Sequence, residues 1–235
     1  MAIKTETVQI KGAGGTFSGF FAAPQGGGPV PGVVVVQEIF GVNSHMRDMV
    51  QRFANAGYAA LAPDLFYHVQ PNLELGYTPD DIAKGREIRG KLDNDKTVAD
   101  VKATFDVLAA RPECQGQKLG ITGYCYGGFI TYLAACRLKP AAAAAYYGGG
   151  IAGFLGEADG IGTPTQFHFG EKDPGIPMAD VDQIKAKVQG KPNVEVFTYA
   201  DADHGFNCND RKSYNEAAAK LAWQRTMDLF GKHLK

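Results

Sequence analysis

Residues 118–138 read KLGITGYCYGGFITYLAACRL. Lys118–Thr122 reads as a short strand and Phe129–Leu138 as a helix. Between them, Gly123-Tyr124-Cys125-Tyr126-Gly127-Gly128 has to turn the chain sharply. The string is G-x-C-x-G, the strand–turn–helix elbow that usually carries serine, here with cysteine at its centre. Such a turn is strained, and a Cβ at its flanking glycines would collide with the neighbouring strand or helix. The helix that follows aims its N-terminus at the thiol, which favours a thiolate. The plainer reading of a free cysteine is a small buried hydrophobe. The strand–turn–helix setting is what argues for chemistry.

The same alternation extends in both directions. Thr5–Ile10 and Thr16–Ala22 read as antiparallel strands joined by a turn at Gly12–Gly15, followed by a Gly/Pro loop over Gln25–Pro31. Val33–Val36 is a β-branched run of the kind buried on both faces of a parallel sheet. Met46, Met49, Val50 and Phe53 share one helical face, closed by Gly57, and Tyr58–Ala62 is a further strand. Residues 64–96 are polar and turn-rich, with one helix expected over Asp80–Leu92. Val98, Val101, Phe105 and Leu108 fall on one face of the next helix. Ala141–Tyr147, Thr165–Phe169 and Val194–Tyr199 read as strands, Met178–Val188 and Ser213–Lys232 as helices, and the stretch up to Phe154 as loop. Repeated βα units imply an α/β fold: a mostly parallel sheet with helices on both faces and antiparallel N-terminal strands. No internal repeat or composition break divides the chain, so residues 1–235 are expected to form a single domain.

Hydrophobic residues make up 45% and charged residues 21% of the 235, which excludes a disordered, collagen-like or coiled-coil chain. Lys plus Arg number 24 against 25 Asp plus Glu, so no basic surplus exists for a nucleic-acid backbone or an anionic membrane. A small-molecule partner is expected, with the chain a monomer or small homo-oligomer. The N-terminal MAIKTETVQIKG lacks the apolar core of a secretory signal, and no stretch approaches the ~20 apolar residues of a spanning helix. Cys114, Cys125, Cys136 and Cys208 are too few and scattered for a disulfide framework. A cytoplasmic address follows as the expectation.

A nucleophile needs a base, and the base an orienting acid. DADHGF (201–206) follows the last strand and places His204 on a loop at its C-terminal end. FGEKD (169–173) follows the preceding strand and brings Asp173 to the same edge, with Asp201, Asp203 and Glu171 as alternatives. The order Cys125, Asp173, His204 is the nucleophile–acid–histidine order of α/β-hydrolases. VVVVQEIFG (33–41) ends a buried strand at that edge with Glu38. The backbone N–H of Ile39 or Phe40, with that of Tyr126, is placed for an oxyanion hole. A carboxylate close to a thiol either keeps it protonated or accepts its proton; the alternative is a capping or salt-bridged glutamate. His45, His68, His168 and His233 read as structural. No metal site is expected, because His204 and Cys208 lack a second ligand pair at zinc spacing. No phosphate-loop or dinucleotide motif is present, so no cofactor is expected.

The pieces VVVVQEIFGVN, RFANAGYAALAPDLFY, GYCYGG, FGEKDPGIP and DADHGFNC, spread from about residue 33 to 208, resemble one family closely. It is the dienelactone hydrolases, or carboxymethylenebutenolidases, of the α/β-hydrolase superfamily. The resemblance implies an α/β-hydrolase fold and a triad of Cys125, Asp173 and His204, with Glu38 as a gating carboxylate and Ile39 and Tyr126 as oxyanion donors. It implies that substrate displaces Glu38, which takes the thiol proton and leaves a Cys125 thiolate paired with His204. The thiolate then opens a lactone or cleaves a small ester through a thioester acyl-enzyme. One departure bears on the substrate: Cys208 stands where the family has an arginine for the substrate's carboxylate, and the nearest arginine is Arg211. The competing readings are a broad carboxylesterase or thioesterase, and a non-catalytic binding module on the same scaffold. A redox protein built on Cys125 is disfavoured, because no C-x-x-C exists.

Overall fold

A computed structural model describes residues 2–235. The chain divides into two compact units, one running to Gly120 and including Leu234, the other Ile121 to His233 with Lys235.

The first unit opens with the expected hairpin. β1 (Ile3–Gly12) and β2 (Gly15–Pro24) pair antiparallel, from Ile3 opposite Pro24 to Gly12 opposite Gly15. Both strands run past their apolar stretches, because ladder hydrogen bonds continue to the turn whatever the side chains. Next come β3 (Gly32–Val36), α1 (Ser44–Asn55) and β4 (Ala59–Pro63). β4 pairs antiparallel with β2 and parallel with β3. Every residue of β3 and β4 is buried, so both faces of these strands are covered. Asn43 caps α1 by accepting the Met46 N–H, and Met46, Met49, Val50 and Phe53 face inward as their spacing requires.

Residues 64–96, opaque in sequence, brace the loop that follows β3. Glu74 forms a bidentate pair with Arg47 at 2.6 and 2.7 Å, Gly41 bridges to Glu74, and Leu75 N–H donates to the Phe40 carbonyl. The helix that follows, α2 (Pro79–Arg89), is shorter than the Asp80–Leu92 expected, and starts at a capping box between Thr78 and Asp81. Then comes α3 (Asn94–Ala110), whose inner face is shifted from the one its apolar spacing suggested. Thr104 is buried and Phe105 only half-buried, because the Thr104 hydroxyl donates to the Asp100 carbonyl and so is satisfied inside.

The second unit begins within β5 (Leu119–Tyr124) and continues through α4 (Tyr126–Arg137), β6 (Ala142–Tyr146), β7 (Thr165–Gly170), α5 (Met178–Val188), β8 (Val194–Tyr199) and α6 (Glu216–His233). β6, β7 and β8 pair in parallel, with Tyr146 opposite His168 and His168 opposite Phe197. α4 starts at Tyr126, earlier than the expected Phe129, because the two glycines of the elbow form its first turn. The stretch up to Phe154, read as loop, enters a 3-10 segment over Ile151–Gly160 that is kinked at Phe154. Its glycines hid that segment from periodicity. No described helix is long and apolar enough to cross a membrane.

One glycine controls how α2 meets the loop after β3. A Cβ on Gly85 would lie 2.4 Å from the Ile39 carbonyl oxygen. Alanine in a helix interior normally gains about 1 kcal/mol over glycine, but here helix or loop must shift. Gly85→Ala is therefore expected to lower the urea midpoint despite its helix propensity. A raised midpoint would mean that the Ile39 contact is loose.

Candidate active site

The site is built on three strand ends of the second unit. At the end of β5 the chain turns into α4 through Cys125, whose φ of 55° and ψ of −115° lie outside the usual regions for a residue with a side chain. The Cys125 N–H donates to the Tyr146 carbonyl at 3.1 Å, and its carbonyl accepts from Gly128 and Phe129 at the start of α4. Close approach requires the flanking glycines. A Cβ on Gly128 would lie 2.2 Å from the Tyr146 carbonyl oxygen, and one on Gly123 would lie 2.2 Å from that of Gly127. The elbow thus meets the strand on one side and the helix on the other, as its sequence requires.

Asp173 lies three residues past β7 and His204 five past β8. His204 Nδ1 is 2.6 Å from Asp173 Oδ2, and the Asp173 side chain is 0% exposed against 24% for His204. The other Asp173 oxygen accepts the Gly175 N–H at 2.8 Å. A carboxylate buried and held from two sides can orient an imidazole without competition from water. On its far side His204 is hydrogen-bonded to Cys125. Burial alone would push the His204 pKa down. Its interactions with Cys125 and Asp173 outweigh it and raise the pKa to about 10.

The alternatives for the acid are accounted for elsewhere. Asp201 pairs with Lys172 at the surface, Glu171 is exposed, and Asp203 accepts the backbone N–H of His204 at 2.5 Å. Tyr126 opens α4, where the first N–H groups have no partner within the helix. In the first unit Glu38 is fully buried two residues past β3, and Ile39 follows it, half-buried. Cys208 is fully buried, and the Arg211 guanidinium lies against Gly205, so that a Cβ there would be 2.3 Å from Nη1. A cation therefore stands against the residue that follows His204.

One neighbour of the site was not legible in the sequence. Tyr147, with a positive φ of 35°, sets its ring edge-to-face with His204 at 5.2 Å and with Phe206 at 5.2 Å. Its only sequence signal is an aromatic pair, Tyr146-Tyr147, immediately before three glycines.

A thiol on a strained elbow, an imidazole and a buried carboxylate in hydrogen-bonded series can serve as a nucleophile, a base and its orienter. Fold and site together define a hydrolase of the α/β-hydrolase class with cysteine in the nucleophile's place. The chain belongs to the dienelactone hydrolase family, which it matches over residues 17–234. It is 38% identical to a Synechocystis protein named "Putative carboxymethylenebutenolidase", over 99% of this chain and 98% of that protein. With the carboxymethylenebutenolidase of Pseudomonas putida it shares 32% identity, over 96% of this chain and 95% of that one. The crystal structure of a "Putative Dienelactone Hydrolase" from Klebsiella pneumoniae superposes with a TM-score of 0.86 at 32% identity, covering 99% of this chain and 100% of that one. The chain is a hydrolase acting on small lactones or esters.

The raised His204 pKa has a direct readout. Relative to an unfolded value of about 6.5, the stabilisation from its partners is complete below that pH. It is lost as pH rises through about 10. By nitrogen-15 NMR, His204 is expected to give up its last proton well above its ordinary value. Asp173→Asn, which removes a negative partner, should lower that midpoint by about one pH unit or more. A wild-type midpoint at the ordinary value would refute the charged partnership of His204 with Asp173.

Proposed function

We propose that Cys125 is the covalent nucleophile, His204 the imidazolium that pairs with its thiolate and donates a proton to the leaving oxygen, and Asp173 the orienting acid. The observation that carries this is the hydrogen-bonded series Asp173–His204–Cys125 at three strand ends. The Cys125 thiolate attacks the substrate carbonyl and forms a C–S bond. The resulting oxyanion is held by the backbone N–H groups of Ile39 and Tyr126. The C–O bond then breaks, opening a lactone ring or expelling an alcohol, and the leaving oxygen takes a proton from His204. Water, deprotonated by His204, attacks the thioester, and the acid product leaves with the thiolate restored.

Glu38 supplies the gate. As the family resemblance implies, the carboxylate opposes thiolate formation until substrate displaces it; it then takes the thiol proton and leaves the thiolate beside an already protonated His204. This reading makes residues 1–235 one catalytic domain, acting in the cytoplasm as a monomer or small homo-oligomer. Lactones are the first substrates to test, given the relatives' name. A second reading, a broad carboxylesterase or thioesterase, is favoured by the buried Cys208 at the position where the family resemblance calls for arginine. Steady-state kcat/KM on a carboxylate-bearing lactone and on a neutral aryl ester separates the two.

Cys125→Ala is expected to abolish hydrolysis of both substrates, and Cys125→Ser to leave a small residue of activity, because serine needs a stronger base than a gated thiol. Substantial turnover by Cys125→Ala would sink the assignment. Glu38→Gln should move two rates in opposite directions. Iodoacetamide alkylation of Cys125 speeds up with the loss of a negative charge, while turnover falls with the loss of the proton acceptor. Rates that move together would make Glu38 a structural carboxylate.

A further inference from the structure

His168 is fully buried within β7 and takes no part in the chemistry above. Its imidazole stacks on the Tyr146 ring at 4.5 Å. Nδ1 lies 2.8 Å from the Tyr199 hydroxyl, and Nε2 lies 3.5 Å from the Thr226 hydroxyl on α6. Thr226 in turn is 2.7 Å from the Tyr146 hydroxyl. At the other end Arg225 donates from Nη1 to the Tyr199 oxygen at 3.2 Å, with its guanidinium 4.0 Å over the Phe197 ring.

The series has a direction. Arginine offers only donors, so its bond occupies the acceptor side of the Tyr199 oxygen and leaves the phenol hydrogen facing His168 Nδ1. Burial first, and then the Arg225 charge, push the His168 pKa down to about 3, so the ring is neutral. A neutral ring that accepts at Nδ1 carries its hydrogen on Nε2, toward Thr226.

The backbones of the same residues seat the triad. The Tyr146 carbonyl holds the Cys125 N–H at 3.1 Å, and the His168 carbonyl accepts from Tyr147 at 2.8 Å. The Tyr199 carbonyl accepts from Glu171 at 3.0 Å and from Ala202 at 3.2 Å, at the roots of the segments that carry Asp173 and His204. We propose that Arg225, Tyr199, His168, Thr226 and Tyr146 form a directional hydrogen-bond clamp that sets the relative positions of Cys125, Asp173 and His204. Arg225 is the positioning residue that fixes the tautomer of His168. The clamp rests on the triad reading above, since the strands it joins, β6, β7 and β8, supply the carbonyls that hold Cys125 and the roots of the Asp173 and His204 segments.

The test pairs a spectroscopic readout with kinetics on the full-length enzyme. Nitrogen-15 NMR of the wild type should show His168 neutral with hydrogen on Nε2. Arg225→Met keeps the side chain's length but loses the donor. It should give a mixture of tautomers and a kcat lower by about 10-fold, with the KM for an aryl ester and the melting temperature little changed. Arg225→Lys, which restores a donor, should recover part of kcat. A wild-type hydrogen on Nδ1, or an unchanged kcat in Arg225→Met, overturns the clamp. If Arg225→Met does not fold, Thr226→Val preserves the shape, drops the hydroxyl link and carries the same kinetic expectation. The tautomer is read without turnover. An active Cys125→Ala enzyme would therefore refute the triad without altering that reading, and an inert Cys125→Ala with unchanged Arg225→Met kinetics would refute the clamp alone.

Discussion

The structure depends on one strained residue held in place from both sides. Cys125 has a side chain and a positive φ of 55°, a conformation that costs on the order of 1–3 kcal/mol. It persists because its N–H is tied to the Tyr146 carbonyl and its carbonyl starts the hydrogen bonding of α4. The strain lifts the thiol out of the strand and sets it over a helix N-terminus. The four alanines of β6 and the absence of a Cβ at Gly128 let helix and strand come close enough for this. A larger residue at either place would release the elbow.

Two histidines of the second unit show how environment divides roles between identical side chains. His168 is sealed among aromatic rings, and burial followed by a nearby guanidinium drives its pKa down to about 3. His204 is also penalised by burial, yet its interactions with Cys125 and Asp173 raise its pKa to about 10. One ring is held neutral and the other protonated, and the partners decide which. The first hydrogen-bonds to hydroxyls, the second to a carboxylate and a thiol.

Much of this was legible in the sequence because the decisive signals are local. The elbow announces itself through glycines within six residues, and Asp173 and His204 each follow a recognisable strand. The triad's order could therefore be read without coordinates, and the α1 face followed directly from its apolar spacing. What escaped was long-range. His168 meets Tyr199 across 31 positions and Thr226 across 58, so a mid-strand histidine between two phenylalanines gave no sign of its partners. The brace of residues 64–96 on the loop after β3 was equally hidden. It is made of ion pairs and backbone bonds rather than an apolar stripe, and Thr104 reached the interior through a backbone bond that no hydropathy pattern records.

The covalent intermediate is the most direct test of the account. The enzyme is mixed with a slowly released aryl ester, quenched in acid within the first turnover, digested and analysed by mass spectrometry. The acyl group should be found as a hydroxylamine-sensitive thioester on the peptide that contains Cys125. An acyl group carried by any other residue would contradict the nucleophile, and with it the role given to the elbow.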